Sequence, residues 1–115
     1  MIVRGAPAIG ATAAYATAQA ALEFKGKDLK KFYSHMRSAA KFIKSARPTA
    51  VDLAHAVDRV LKIIKRAQSV GEAKTAAVFQ ANLVSREYIK VCERIGKNGE
   101  KLIHNGAKIL THCNA

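Results

Sequence analysis

The sequence has few of the aromatic residues on which nucleic-acid bases stack. Aromatic residues make up only 6% of its 115 positions, and they do not alternate with basic residues as a base-stacking surface requires. No arginine-rich run is present, and the 20 lysines and arginines are spread along the chain. This spread favours solvated helix faces, so we expect no nucleic-acid partner.

Cysteine is equally scarce. Cys92 and Cys113 are too few for a disulfide framework and indicate a reducing, cytoplasmic location. Together with four scattered histidines, they give no spacing typical of metal ligands. Cys92 falls within a helical pattern, where we expect it to be a small buried residue. The sequence therefore predicts no metal site. No cofactor is expected either.

Long hydrophobic runs are also missing, and none is suited to crossing a membrane. The alanine-rich segment 1–22 superficially resembles a secretory signal, but Gly5, Pro7 and Gly10 interrupt the stretch that should be richest in leucine. We therefore expect no membrane partner. What the sequence does have is 50% hydrophobic and 24% charged residues, a balance typical of one modest globular domain. Its net charge of +12 would attract phosphate-bearing ligands.

Apolar spacing and stop signals predict a mainly α chain. Five helices are expected. The first runs from about 7 to 24, and the second runs from 28 to a break at 47–49, after which the third begins. The fourth runs from 72 to 95 with Gly96 as the C-cap, and a short fifth helix runs from 99 to 104. Asp28 is a plausible N-cap, and Thr49 with Asp52 has the spacing of a capping box. The third helix is expected to bury Val51 with other apolar residues. The second helix carries an apolar stripe, which comprises Leu29, Phe32, Met36, Ala39, Ala40 and Ile43.

The apolar run 107–111 reads as a strand. A single strand has no partner in an otherwise helical chain. We therefore interpret 1–106 as a helical N-terminal domain, and 107–115 as the first strand and active-site loop of an α/β domain whose remainder is missing.

Two helix starts are preceded by arginine. With Pro7 as the first helical residue, Ala6 would occupy the cap position without a side chain for the free N–H groups, so Arg4 and this helix start would form an anion site. Gly5 would allow close approach to a ligand. Arg47, before the third helix, repeats the pattern, and two arginines suit a phosphate ester. The alternative is an ordinary loop-to-helix turn with a solvated arginine.

The segment 111–114 follows the expected strand at its carboxyl end, where open α/β sheets place ligands. Arginines near Cys113 would favour its thiolate. The alternative is a small residue that fills a tight turn. His112 and Cys113 would point to opposite faces of a continuing strand, so they are not expected to form a nucleophile–base pair.

Three motifs together, MIVRGAPAIG at 1–10, RPTAV at 47–51 and ILTHCNA at 109–115, closely resemble those of methylthioribose-1-phosphate isomerases and their initiation factor 2B-like relatives. The resemblance spans essentially the whole chain. It implies the N-terminal helical domain of an α/β, Rossmann-like isomerase of methionine salvage, which converts methylthioribose 1-phosphate to methylthioribulose 1-phosphate. The intact protein would be a homodimer with a sugar-phosphate substrate.

The resemblance also implies roles for individual residues. Arg4, Gly5 and Ala6 would contact the substrate, Arg47 would hold its phosphate, and Cys113 would be the catalytic cysteine that assists hydrogen transfer between the first two sugar carbons.

Departures from the family pattern are clear. The family's proton-transfer aspartate and its small N-terminal region have no counterpart here. Asp52 stands where asparagine is common, and His55 stands where a bulky apolar or aromatic residue is usual. We therefore expect a fragment that is inactive alone. The alternatives are a regulatory subunit of translation initiation factor 2B, a relative of ribose 1,5-bisphosphate isomerase and, last, a basic helical module that binds RNA.

Overall fold

The computed structural model describes residues 2–112, which form four α-helices. These are α1 (Ala6–Glu23), α2 (Leu29–Ser45), α3 (Val51–Ile64) and α4 (Val70–Gly99), and a 3₁₀ turn, Glu100–Leu102, continues from α4. The mainly α prediction is therefore confirmed for this part of the chain. None of the helices in the described range is both long enough and apolar enough to cross a membrane.

The helix starts confirm one of the two predicted N-terminal caps and contradict the other. Asp28 caps α2, with its Oδ1 accepting a hydrogen bond from the Lys31 N–H at 3.0 Å, as predicted. The capping box predicted for Thr49 and Asp52 is wrong, because α3 has Ala50 as its N-cap and no side-chain cap bond. The Ala50 N–H donates to the Arg47 carbonyl at 3.0 Å, and this turn holds Thr49 one position before the cap.

The predicted end of α4 is also wrong. The helix does not stop at Gly96 but runs on to Gly99 and into the 3₁₀ turn, so the separate short helix at 99–104 does not exist. Neither Gly96 nor Gly99 has a positive φ. A glycine inside a helix costs only about 1 kcal/mol relative to alanine, which is too little to end a long helix.

Residues 107–112 form no strand, contrary to the prediction. A strand is defined by its ladder to a neighbour, and the described residues provide no second strand. The helical part of the fold prediction thus holds, while the division at residue 106 stays a prediction.

Alanine-rich faces of α1 and α4 dominate the centre of the bundle, since α1 packs against α2, α3 and α4. Small side chains let these backbones approach closely, and larger residues of α2 and α3 fill the remaining space. The fully buried Thr17 hydroxyl donates to the Ala13 carbonyl at 2.8 Å, which satisfies its hydrogen bond within α1. The largest fully buried apolar side chains are Phe32, Met36, Val57, Val60, Ile64 and Val84.

Two burial predictions are wrong. Val51 is 79% exposed, because it is the first residue of α3 and lies beyond the packed face. Cys92 is exposed, because the last buried residue of α4 is Val84 and residues 89–98 are all exposed. The described chain is accordingly elongated, at 61 × 24 × 18 Å, with α4 extending past the other helices.

Candidate functional site

The start of α1 differs by one residue from the prediction. Gly5, not Ala6, is the N-cap, and Pro7 lies in the first turn. Gly5 has φ +86°, a backbone conformation that favours glycine over residues with a side chain. Its carbonyl accepts the first helical hydrogen bond, from the Ile9 N–H at 2.9 Å. The helix thus begins one residue earlier than predicted, and its cap residue still has no side chain that could bind the free N–H groups.

No side chain caps this helix start. Arg4 and Ala6 are exposed beside it, and Gly5 is partly exposed. The free N–H groups of the first turn and the helix dipole together attract negative charge. The helix start thus keeps donors available to an anion in solvent.

The second arginine motif lies at the same end of the bundle. Arg47 follows α2 and lines a cavity of about 420 Å³, to which Ile2 and Val3 also contribute from the segment just before Arg4. The fold therefore brings together two motifs that are roughly forty residues apart in sequence. The other lining residues come from α1, α2, α3 and the turn after α2: Ile9, Thr12, Ala13, Ala16, Phe42, Ile43, Ala46 and Leu53.

The lining of this cavity combines apolar side chains with one arginine. Its wall is mainly aliphatic and aromatic, and Arg47 is the charged residue among those that line it. The Thr12 hydroxyl already donates to the Ala8 carbonyl at 2.8 Å. Such a site suits a ligand with an apolar body and an anionic group, and its volume lies within the usual range for small-molecule sites.

The expected catalytic cysteine, Cys113, lies outside the described residues. Thr111 and His112, just before it, are exposed. The role of Cys113 therefore stays a prediction.

Tyr88 is a residue at this end of the bundle that the sequence did not single out. Its ring packs against the buried Gly10 of α1, where a Cβ atom would lie 2.7 Å from the Tyr88 Oη. The absence of a side chain at Gly10 thus allows the Tyr88 ring to pack closely against α1. Burial of the ring, followed by the nearby Asp52 carboxylate, raises the pKa of the Tyr88 hydroxyl. Only the pairing across α1 and α4, which is not local in sequence, could have revealed it.

A second charged cluster lies between α3 and α4. The Arg59 guanidinium binds both carboxylate oxygens of Glu87, with Nη2 at 3.0 Å from Oε1. This bidentate pair is half-exposed, and it holds the pKa of the Glu87 carboxyl below its usual range. Within residues 2–112, no three His, Cys, Asp or Glu side chains come together as metal ligands would.

The sequence and the fold are both similar to those of known proteins. The methylthioribose-1-phosphate isomerase of Geobacillus thermodenitrificans is 45% identical over 113 residues, which are 98% of this chain and 32% of that protein. The putative methylthioribose-1-phosphate isomerase of Methanocaldococcus jannaschii is 44% identical over 115 residues, which are 100% of this chain and 30% of that protein. The chain therefore spans about a third of the length of these curated relatives.

The fold of this chain is also similar to that of a solved structure. The crystal structure of subunit delta of the translation initiation factor eIF-2B from A. fulgidus superposes with a TM-score of 0.81 and 36% sequence identity, over 90% of this chain and 31% of that one. The family model described as the initiation factor 2 subunit family matches residues 2–115. With nearly the whole sequence matched and the helical fold shared, this chain belongs to the initiation factor 2 subunit family.

Proposed function

We propose that this chain supplies the helical, phosphate-holding part of an aldose–ketose isomerase that converts methylthioribose 1-phosphate to methylthioribulose 1-phosphate. The observation that carries the proposal is the meeting of the two arginine motifs at one end of the bundle, where Arg47 and the residues before Arg4 share a cavity. The similarity to curated isomerases over nearly the whole chain supports the same substrate.

Each residue at this end has a role in the proposal. Arg47 and Arg4 hold the phosphate, since guanidinium groups bind phosphate oxygens bidentately. Gly5 and Ala6 present the free N–H groups of the α1 start to the same anion. Because the phosphate sits on the anomeric carbon, the sugar ring cannot open in the ordinary way. The enzyme must therefore hold the phosphate while a hydrogen moves between the first two carbons.

Cys113 is the proposed catalytic residue, acting in that hydrogen transfer. The chain holds about a third of the length of its relatives, and none of its residues matches the family's proton-transfer aspartate. We therefore propose that the 115-residue chain does not turn over substrate by itself, and that the intact protein is a homodimer.

The test is isomerase activity on methylthioribose 1-phosphate. It is measured for the 115-residue chain and for the longer product of the natural gene, translated as far as its first in-frame stop. The extended protein should be active, with kcat lost on Cys113→Ser and KM raised on Arg47→Ala. Arg37→Ala, which removes an exposed arginine of α2, is the matched control and should change neither constant. An extended protein that folds but neither binds nor converts the sugar phosphate would contradict the proposal.

A regulatory role is the second candidate, favoured by the similarity to the delta subunit of eIF-2B from A. fulgidus. In this case the same arginines would bind a sugar phosphate without converting it. Calorimetric binding of methylthioribose 1-phosphate by an extended protein that shows no turnover would select this role over the enzymatic one.

A further inference from the structure

A row of basic side chains follows the outer face of α3. His55, Arg59, Lys62 and Arg66 are separated by four, three and four residues, the spacing that places side chains on one face of a helix. Arg66 lies in the turn just after α3, where its N–H donates to the Ile63 carbonyl at 3.1 Å. The α3 basic row, as we name these four residues, gathers charges that look dispersed along the sequence.

The α3 basic row lines one groove. Its four side chains form the groove together with Ile63 from α3 and Gln80 and Glu87 from α4. These residues are separate from those of the cavity at Arg47. The groove is thus a polar site that the proposed isomerase function does not use.

The charges in the groove are only partly neutralised. Glu87 pairs with Arg59, whereas Lys62 and Arg66 are exposed and form no ion pair within residues 2–112. Holding two cations side by side without a counter-charge costs free energy, and a bound anion would remove that cost. The groove therefore favours a ligand with more than one negative charge.

The length of the row points to a polymer. Eleven residues separate its ends, which corresponds to about 16 Å along a helix. A nucleic-acid strand carries one phosphate per about 3.4 Å of duplex axis, so a row of this length can face more than one phosphate. No aromatic side chain lines the groove, so it offers no surface on which bases could stack.

We propose that the α3 basic row binds the phosphate backbone of a nucleic-acid duplex without reading its sequence. This binding is independent of the proposed isomerase function, since it uses other residues. The sequence alone predicted no nucleic-acid partner because the basic residues are not consecutive. The fold provides the alignment that a linear run would otherwise supply.

The test is fluorescence anisotropy of a labelled RNA duplex of mixed sequence with the full 115-residue chain at several salt concentrations. The double variant Lys62→Ala/Arg66→Ala should bind roughly ten- to a hundredfold more weakly at low salt, and the slope of log K against log salt should become less steep by about two. The matched control is Lys97→Ala/Lys101→Ala, which removes the same charge at exposed positions outside the groove. It should lose no more than about twofold, since those charges act through screening solvent.

A gain of binding provides a second check. Glu87→Gln releases Arg59 from its partner, so it should strengthen duplex binding severalfold and steepen the salt slope by up to about one. Circular dichroism confirms that each variant is folded, which is expected because all the altered side chains are at least partly exposed.

Four results would overturn the proposal. The wild-type chain could fail to bind the duplex at low salt, or the control variant could lose as much affinity as the groove variant. Glu87→Gln could bind no more tightly than the wild type. Finally, inorganic phosphate or polyglutamate could displace the duplex at concentrations too low to act through ionic strength, which would assign the groove to a small anion or an acidic protein instead.

Discussion

Gly10 of α1 and Tyr88 of α4 lie so close together that a side chain at residue 10 would have to displace the Tyr88 ring. A Cβ atom there would lie 2.7 Å from the Tyr88 Oη and 3.0 Å from two atoms of its ring. Because Gly10 is less than two turns from the α1 start, this contact fixes where that start lies relative to α4. The free N–H groups at the proposed phosphate site therefore depend on a contact outside the site.

We predict that Gly10→Ala destabilises the chain. Alanine gains about 1 kcal/mol of helix propensity, but forcing Tyr88 aside costs about 1–3 kcal/mol, so the net loss should be up to about 2 kcal/mol. In a Tyr88→Ala background the clash is absent, and Gly10→Ala should become stabilising. Urea unfolding of the four proteins in this double-mutant cycle measures both values.

Gly96→Ala is the control for helix propensity. A Cβ atom at Gly96 meets nothing within 4 Å, so this change should stabilise α4 by up to about 1 kcal/mol. If Gly10→Ala behaved like Gly96→Ala in the wild-type background, the close contact with Tyr88 would not be important for packing.

Tyr33 links α2 to the end of α3. Its hydroxyl is 3.2 Å from the carbonyl oxygens of both Ile64, the last residue of α3, and Ala67 in the turn that follows. Tyr33→Phe should lower the free energy of unfolding by about 1 kcal/mol. Tyr15→Phe removes a hydroxyl that donates to Asn82 at an exposed position, and thermal denaturation should show a smaller loss for it. Equal losses would contradict the role of these two carbonyl groups.

The Arg59–Glu87 pair should make a small, pH-dependent contribution to stability. The Arg59 hydrogen bond lowers the pKa of Glu87 in the folded chain. Such a group contributes stability above its unfolded pKa of about 4.3, and the contribution is lost as the pH falls through the lower folded pKa. Because the pair is half-exposed, Glu87→Gln should cost no more than about 1 kcal/mol at pH 7.

Urea unfolding at pH 7 and at about pH 3 measures this difference, which should shrink at the lower pH. Glu93→Gln is the matched control, since Glu93 is exposed and forms no ion pair within the described residues. A Glu87→Gln effect that stays constant across both pH values would contradict the ion-pair explanation.

Cys92 should react with a thiol reagent while the chain is folded. Its side chain is exposed on the part of α4 beyond the bundle, so iodoacetamide should modify it at nearly the rate seen in urea. Mass spectrometry of the peptide that contains Cys92 measures both rates. Strong protection in the folded chain would mean that another surface covers this part of α4.

The sequence predicted what depends on neighbours along the chain. Asp28 before α2 and the spacing of Phe32 and Met36 are local signals, and both were confirmed. Periodicity predicted that Cys92 is buried, but it could not show that no helix within residues 2–112 covers this part of α4. Gly96 carries a stop signal that a continuing helix overrides, and the contact of Tyr88 with Gly10 joins residues far apart in sequence.

In the candidate site, too, the sequence predicted the local features but not those that depend on the fold. The sequence identified Arg4, Gly5 and Arg47 from their positions before helices, and the fold places both motifs at one end of the bundle. The sequence could not show that Gly5 is the N-cap, because that depends on the backbone φ angle of Gly5. Nor could it align the basic residues of α3, since their alignment follows from the helix and from the neighbouring α4.

The length of α4 beyond the bundle has a consequence for hydrogen exchange. Its first half, from Val70 to Val84, is buried at regular intervals, so backbone amides there should exchange only when the whole bundle unfolds. Residues 89–98 have no buried side chain, and short helical segments without packing are marginal in water. Deuterium uptake should therefore rise steeply along one continuous helix, with the change near Tyr88, the last residue of α4 that packs against the core.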